Sequence, residues 1–138
     1  MAKGDSAASS HYWRPQDKIV LDKIENCLGP SVLLPNNDMI SSTEKGQIPL
    51  SNVLSKSAKT AMILPQLASS SLISLGQLCD DNCKILLDKQ QLIAVKNNKI
   101  VLRGKRNKID RLWDIPVGKH IITRDNYTVP KIHPAMYT

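Results

Sequence analysis

Short apolar runs separated by turn-forming residues set the character of this chain. Ser31-Val32-Leu33-Leu34, then Pro35-Asn36-Asn37-Asp38, then Met39-Ile40-Ser41-Ser42-Thr43 predicts strand, turn and strand, because Pro, Asn and Asp supply turn chemistry between two extended arms. The second arm continues through Gly46-Gln47-Ile48-Pro49-Leu50, and Gly46 permits a bend or bulge where the arm leaves the sheet. A strand at 60–64 is closed by Pro65, a polar loop follows at 68–71, and the apolar run at 72–75 predicts a buried strand. Gly76-Gln77-Leu78-Cys79-Asp80-Asp81 fits one short helix, too brief to hold without packing. Strands are expected at 85–87, 92–95 and 100–102, with Asn97-Asn98 as the hairpin turn between the last two, and a final strand at 112–116. From Gly118 onward, Pro130, Pro134 and scattered polar residues break any period. The expectation is an all-β domain with one short helix over residues 1–118, followed by a tail or linker over 119–138.

Composition narrows this picture. A chain of 138 residues has room for one compact core. With two Trp, three Tyr and no Phe, that core must rest on Leu, Ile and Val, which favours strands. There is no apolar run of about 18 residues to span a bilayer, and Met1-Ala2-Lys3-Gly4-Asp5 lacks the hydrophobic stretch of a secretory signal. A cytoplasmic protein without a membrane partner is expected. Cys27, Cys79 and Cys83 form no disulfide framework, which agrees with a reducing compartment and with small buried hydrophobes.

The net charge of +7 is uneven: residues 1–83 carry seven Lys or Arg against eight acids, and residues 84–138 carry twelve against four. Such a basic C-terminal part is compatible with a nucleic-acid partner. Lys96, Lys99, Arg103, Lys105 and Lys108 alternate with apolar residues, however, so the solvated face of a sheet is the favoured reading.

The candidate chemistry centres on Asp5-Ser6-Ala7-Ala8-Ser9, where an acid, a hydroxyl and two small residues suit a carboxylate in a tight turn. The same pair also suits an ordinary N-cap or Asx turn. A lone Asp cannot act as general base and general acid at once, but two identical chains can each supply one, and two neighbouring carboxylates then share a proton. In that arrangement Asp5 is the catalytic acid, Ser6 braces the turn, and small Ala7 and Ala8 let backbone amides approach. The hairpin within 31–50 would then cover an extended peptide, with Leu34, Asn36, Asn37, Asp38, Met39 and Ile40 facing substrate; otherwise it is an ordinary hairpin. Cys79, Cys83, His120 and His133 lack metal-ligand spacing, so no metal or cofactor is expected. His11 beside Asp5 has no placed nucleophile, and Trp113 is expected as a core anchor. Tyr12 and Trp13 either line a substrate groove or pack beneath it, with packing preferred.

An ordered set of words in the chain resembles a known family. Asp5-Ser6-Ala7-Ala8-Ser9-Ser10-His11, Ile63-Leu64-Pro65-Gln66-Leu67, Leu72-Ile73-Ser74-Leu75-Gly76-Gln77-Leu78-Cys79, and Val101-Leu102-Arg103-Gly104-Lys105-Arg106 before Leu112-Trp113 are similar to the protease segment of copia-type retrotransposon polyproteins, relatives of the retropepsins. The resemblance covers about residues 5–117. It implies a retropepsin-like half-barrel whose active site forms at a homodimer interface, with the 31–50 hairpin as flap and Ile73, Leu75 and Gly76 as the hydrophobic-Gly motif. It further implies an aspartic endopeptidase that processes its own polyprotein in cytoplasmic virus-like particles. The alternative is a catalytically silent dimerisation or peptide-binding module of the same kind, since Ala7 stands where the family usually has Gly and only four residues precede Asp5.

Overall fold

The structure, a computed structural model, describes residues 1–29, 31–33, 37–65, 67 and 69–118. Twelve strands and three short helical segments make the described part mainly β. The chain starts with β1 (Ala2–Asp5), β2 (His11–Trp13), a 3₁₀ helix (Pro15–Val20) and β3 (Asp22–Asn26). Pro15 suits the start of the 3₁₀ turn, where its missing N–H is no loss, and Arg14 braces it by pairing with Asp17 at 2.9 Å. A hairpin of β4 (Ser31–Leu33) and β5 (Met39–Ser41) follows, then β6 (Glu44–Gln47), α1 (Lys56–Lys59), β7 (Thr60–Ile63), β8 (Leu72–Ser74) and α2 (Leu75–Asp80). Three antiparallel neighbours, β9 (Lys84–Leu87), β10 (Gln91–Lys96) and β11 (Lys99–Arg106), lead to β12 (Trp113–Ile115).

Ten strands form one open sheet in the order β3-β6-β7-β2-β8-β1-β12-β11-β10-β9, and β4-β5 pair separately. At its centre, β8 lies between β1 and β2, parallel to the first and antiparallel to the second. The segment joining β1 to β2 therefore crosses over the end of β8, beside Ser74, which pairs in register with Asp5. Gly4 permits this close central packing, because a Cβ there would stand 2.9 Å from Leu92 Cδ1. The core gathers Leu and Ile from five strands of the main sheet, among them Ile63, Ile73, Leu92 and Ile115, together with a fully buried Trp13. None of the helices among the described residues is long and apolar enough to cross a membrane.

Several sequence expectations need correction. One helix was expected where three helical segments stand, since α1 rests on a local cap, Ser55 Oγ accepting from the Ala58 N–H at 3.3 Å. β1, β2 and β3 were not anticipated. The hairpin's second arm changes sheet at Ser42-Thr43 rather than at Gly46: Ser42 Oγ donates to Glu44 O at 2.9 Å there, while Gly46 lies buried within β6. Trp13 is the fully buried aromatic of the core, while Trp113 packs against that core from a half-buried position beneath Arg106, whose guanidinium stands 5.3 Å from the ring centre. Of the cysteines only Cys83 is buried, while Cys79 is exposed. Lys96 is not on a solvated face but pairs with Asp81 at 2.8 Å. The expected tail at 119–138, with His120 and His133, lies outside the described residues, as do Leu34 and Asn36 of the hairpin.

Candidate active site

β1 ends at Asp5, and the chain turns at once. Asp5 Oδ1 accepts the Ala7 N–H at 2.8 Å, an Asx-type closure that leaves the carboxylate half-exposed at the strand end. Ser6 and Ala7 are exposed, and Ala7 lies outside the left-handed backbone region, so its methyl group brings no backbone strain. Ala8 O accepts a 2.7 Å hydrogen bond from Ser74 Oγ, and Ser9 Oγ meets Tyr12 Oη at 2.8 Å. The turn is thus closed by its own acid and fastened from below by the end of β8.

Three side chains that sequence reasoning did not assign to the site build its floor. Ser74 caps α2 by accepting the Gln77 N–H at 3.0 Å while donating to Ala8 O, so one hydroxyl starts the helix and holds the turn. Gln77 accepts the His11 N–H at 2.8 Å and donates to Ser57 O and Thr60 O at 2.6 and 2.9 Å, joining β2, α1, β7 and α2. His11 is fully buried between Ala58 O, 2.7 Å from Nε2, and the Ser74 N–H, 2.8 Å from Nδ1. Those partners select the neutral ring with its proton on Nε2, donating to the carbonyl while Nδ1 accepts. Burial, opposed in part by the Ala58 carbonyl, pushes its pKa down to about 4. The weak signal for this role was a His placed directly between the small residues of the turn and Tyr12-Trp13.

The hydrophobic-Gly motif falls where it supports the turn. Ile73 and Leu75 are buried, and Gly76 is exposed in the first turn of α2, where a Cβ would stand 3.7 Å from Ser74 Oγ, an ordinary contact. Ser6, Leu75, Gly76 and Cys79 line, with the strand segment 85–87, an open depression of about 490 Å³ beside the Asp5 turn. Its walls are mostly apolar, with one hydroxyl and one exposed thiol.

The hairpin residues are not gathered there. Ile40 is buried, whereas Met39 is 60% exposed and Asn37 and Asp38 are exposed. β6, onto which the hairpin leads, stands four places from β1 in the sheet, and the side-chain hydrogen bonds of the Asp5 turn go to Ser74 and to residues within 5–12. Asn37 adopts a left-handed conformation at φ 69°, suited to the hairpin bend. Cys83 belongs to the buried core rather than to the lining of the depression, and burial pushes its thiol up to about 11. No group of three or more His, Cys, Asp and Glu among the described residues is arranged to hold a metal ion.

A half-exposed carboxylate in a rigid turn beside an open apolar hollow can orient a water or a carbonyl, but one such group supplies only half of an acid–base pair. Compared with protein-family models, with curated proteins and with solved structures, the chain shows no match.

Proposed function

We propose that this chain is an aspartic endopeptidase of the retropepsin type, active as a homodimer in which Asp5 of each copy contributes one carboxylate. The observation that carries the reading is the Asp5 turn itself: an acid at the end of a central strand, closed by the Ala7 N–H, crossing a strand inserted from 72–74, and floored by Ser74 and Gln77. Two such turns facing each other share one proton; one carboxylate takes a proton from water while the other protonates the carbonyl oxygen of the peptide. The depression beside Ser6 receives apolar side chains of substrate, and the β4–β5 hairpin serves as flap. A polyprotein is the expected substrate class, from the resemblance of the motif words. The half-barrel of a retropepsin monomer and a cytoplasmic setting belong to the same proposal.

The experiment is cleavage of a mixed peptide library by the protein and by Asp5→Asn between about pH 4 and 7, where a coupled dyad is singly protonated. Turnover that vanishes in the variant is the expected result. Absence of turnover in both proteins, at a concentration where sizing shows a dimer, defeats the proposal in favour of a silent peptide-binding module.

A further inference from the structure

The densest run of cations, Arg103 to Arg111, is folded into one place. β11 ends at Arg106, and the loop that follows is tied internally: Asn107 Oδ1 accepts the Ile109 N–H at 2.8 Å, Asp110 Oδ1 accepts the Leu112 N–H at 2.9 Å, and the Arg111 N–H returns to Asn107 O at 2.9 Å. Arg111 sits at φ 63°, which turns the chain back into β12. The acids of this region are each engaged by protein groups, Asp88 and Asp110 at the surface and Asp114 half-buried. Lys3 binds both Asp110, at 2.7 Å, and Asp114, and Asp88 turns its carboxylate to the Gln90 and Gln91 N–H groups at 2.7 and 2.8 Å.

The cations are left on the outside. A hollow of about 560 Å³ is lined by Lys89, Lys105, Arg106, Lys108 and Arg111 with only Gln90 and Asn107 besides. A second hollow of about 420 Å³ shares Gln90 and Lys105 with it and adds Arg103. Neither has an acidic lining residue among those described. Lys105, Lys108 and Arg111 form no ion pair with any described residue, although Lys3, Arg14, Lys18, Lys45 and Lys96 each do. An open track of several cations with no ion-pair partner among the described residues, held by a hydrogen-bonded loop, concentrates positive potential.

We infer that this track binds single-stranded nucleic acid through its phosphate backbone. The two hollows run on from one another, so their charge is spread along a path, matching a polymer that carries one charge at every unit. Arg103 and Arg111 present guanidinium forks to phosphate oxygens. Arg106 lies over one face of the Trp113 ring, which is half-buried against the core, so recognition is of backbone rather than sequence. A duplex fits less well, because no described helix exceeds six residues and none is available to enter a major groove. This inference is independent of peptide hydrolysis.

The test is fluorescence anisotropy with a labelled oligouridylate of about 20 nucleotides across a salt series. The full chain is compared with a Lys105→Ala, Lys108→Ala, Arg111→Ala triple variant. A control triple, Lys45→Ala, Lys56→Ala, Lys59→Ala, changes net charge equally at the other end of the sheet. Binding that weakens with salt, and that loses about tenfold or more in affinity with a log–log slope smaller by about 2 in the first triple only, is expected. Thermal unfolding of each variant separates this from misfolding. No binding, or equal loss in both triples, overturns the inference. So does displacement by polyglutamate as effective per charge as by unlabelled oligouridylate, which makes the track an acidic-peptide site instead.

Discussion

His11 joins Ala58, Ser74 and Gln77 in a buried lattice that works only while the ring is neutral, because a proton on Nδ1 would point at the Ser74 N–H. Its folded pKa of about 4 lies below the ordinary 6.5, so the unfolded chain takes up the proton first. Stability from this residue is complete above about pH 6.5 and is lost as pH falls through about 4, a total of about 3 kcal/mol. Urea unfolding between pH 7 and 4.5 should show a stability slope that His11→Asn flattens; an unchanged slope would remove His11 as its source. The depressed carboxyls, such as Asp17 held down by Arg14 and Ser71 against its own burial, and Asp81 held to about 2 by Lys96 and Ser55, lose their contribution below that window. Asp5 and its small neighbours were legible in the sequence because the turn is local. His11 was not, since its ring partners lie 47 and 63 positions away.

At the scale of elements, β4 and β5 stand apart from the main sheet, pairing Ser31 with Ser41 and Leu33 with Met39, and they expose Leu33 and Met39. A two-stranded ribbon gains little from burial and opens readily. Amide hydrogen exchange should therefore be fast at 31–33 and 39–41 and slow at Ala94, whose strand is paired on both sides and buried. A bound peptide should slow the hairpin amides if the hairpin closes on substrate; protection equal to that of Ala94 without any peptide would deny it a flap's freedom. The β10–β11 hairpin was readable because Asn97 and Asn98 both adopt φ near +55°, 51° and 59°, the left-handed geometry such a turn requires. β1 was not, because Ala2-Lys3-Gly4 has no hydrophobic signal and its burial comes from Leu92 and Ile115 on other strands. β3 escaped for the opposite reason: it is an edge strand, exposed along most of Asp22–Asn26, with no alternation to find.

For the whole molecule, the proposed chemistry demands two copies, so activity becomes a property of assembly. Specific activity should fall on dilution below the dimer dissociation constant. An equimolar mixture with Asp5→Asn should leave about a quarter of the dimers with both carboxylates, by random pairing of identical interfaces. Activity that instead stays proportional to the unmodified chain, whatever the mixture, would assign the carboxylate to a single copy. The inserted β8 has another consequence, which concerns time. During synthesis, residues 5–10 emerge long before Ser74 and Gln77, their supports, and β1 has no antiparallel partner until Trp113–Ile115 exists. Contacts of such long sequence separation close slowly and late. A ribosome must therefore have made most of the domain before the supports beneath the locally closed Asp5 turn are in place.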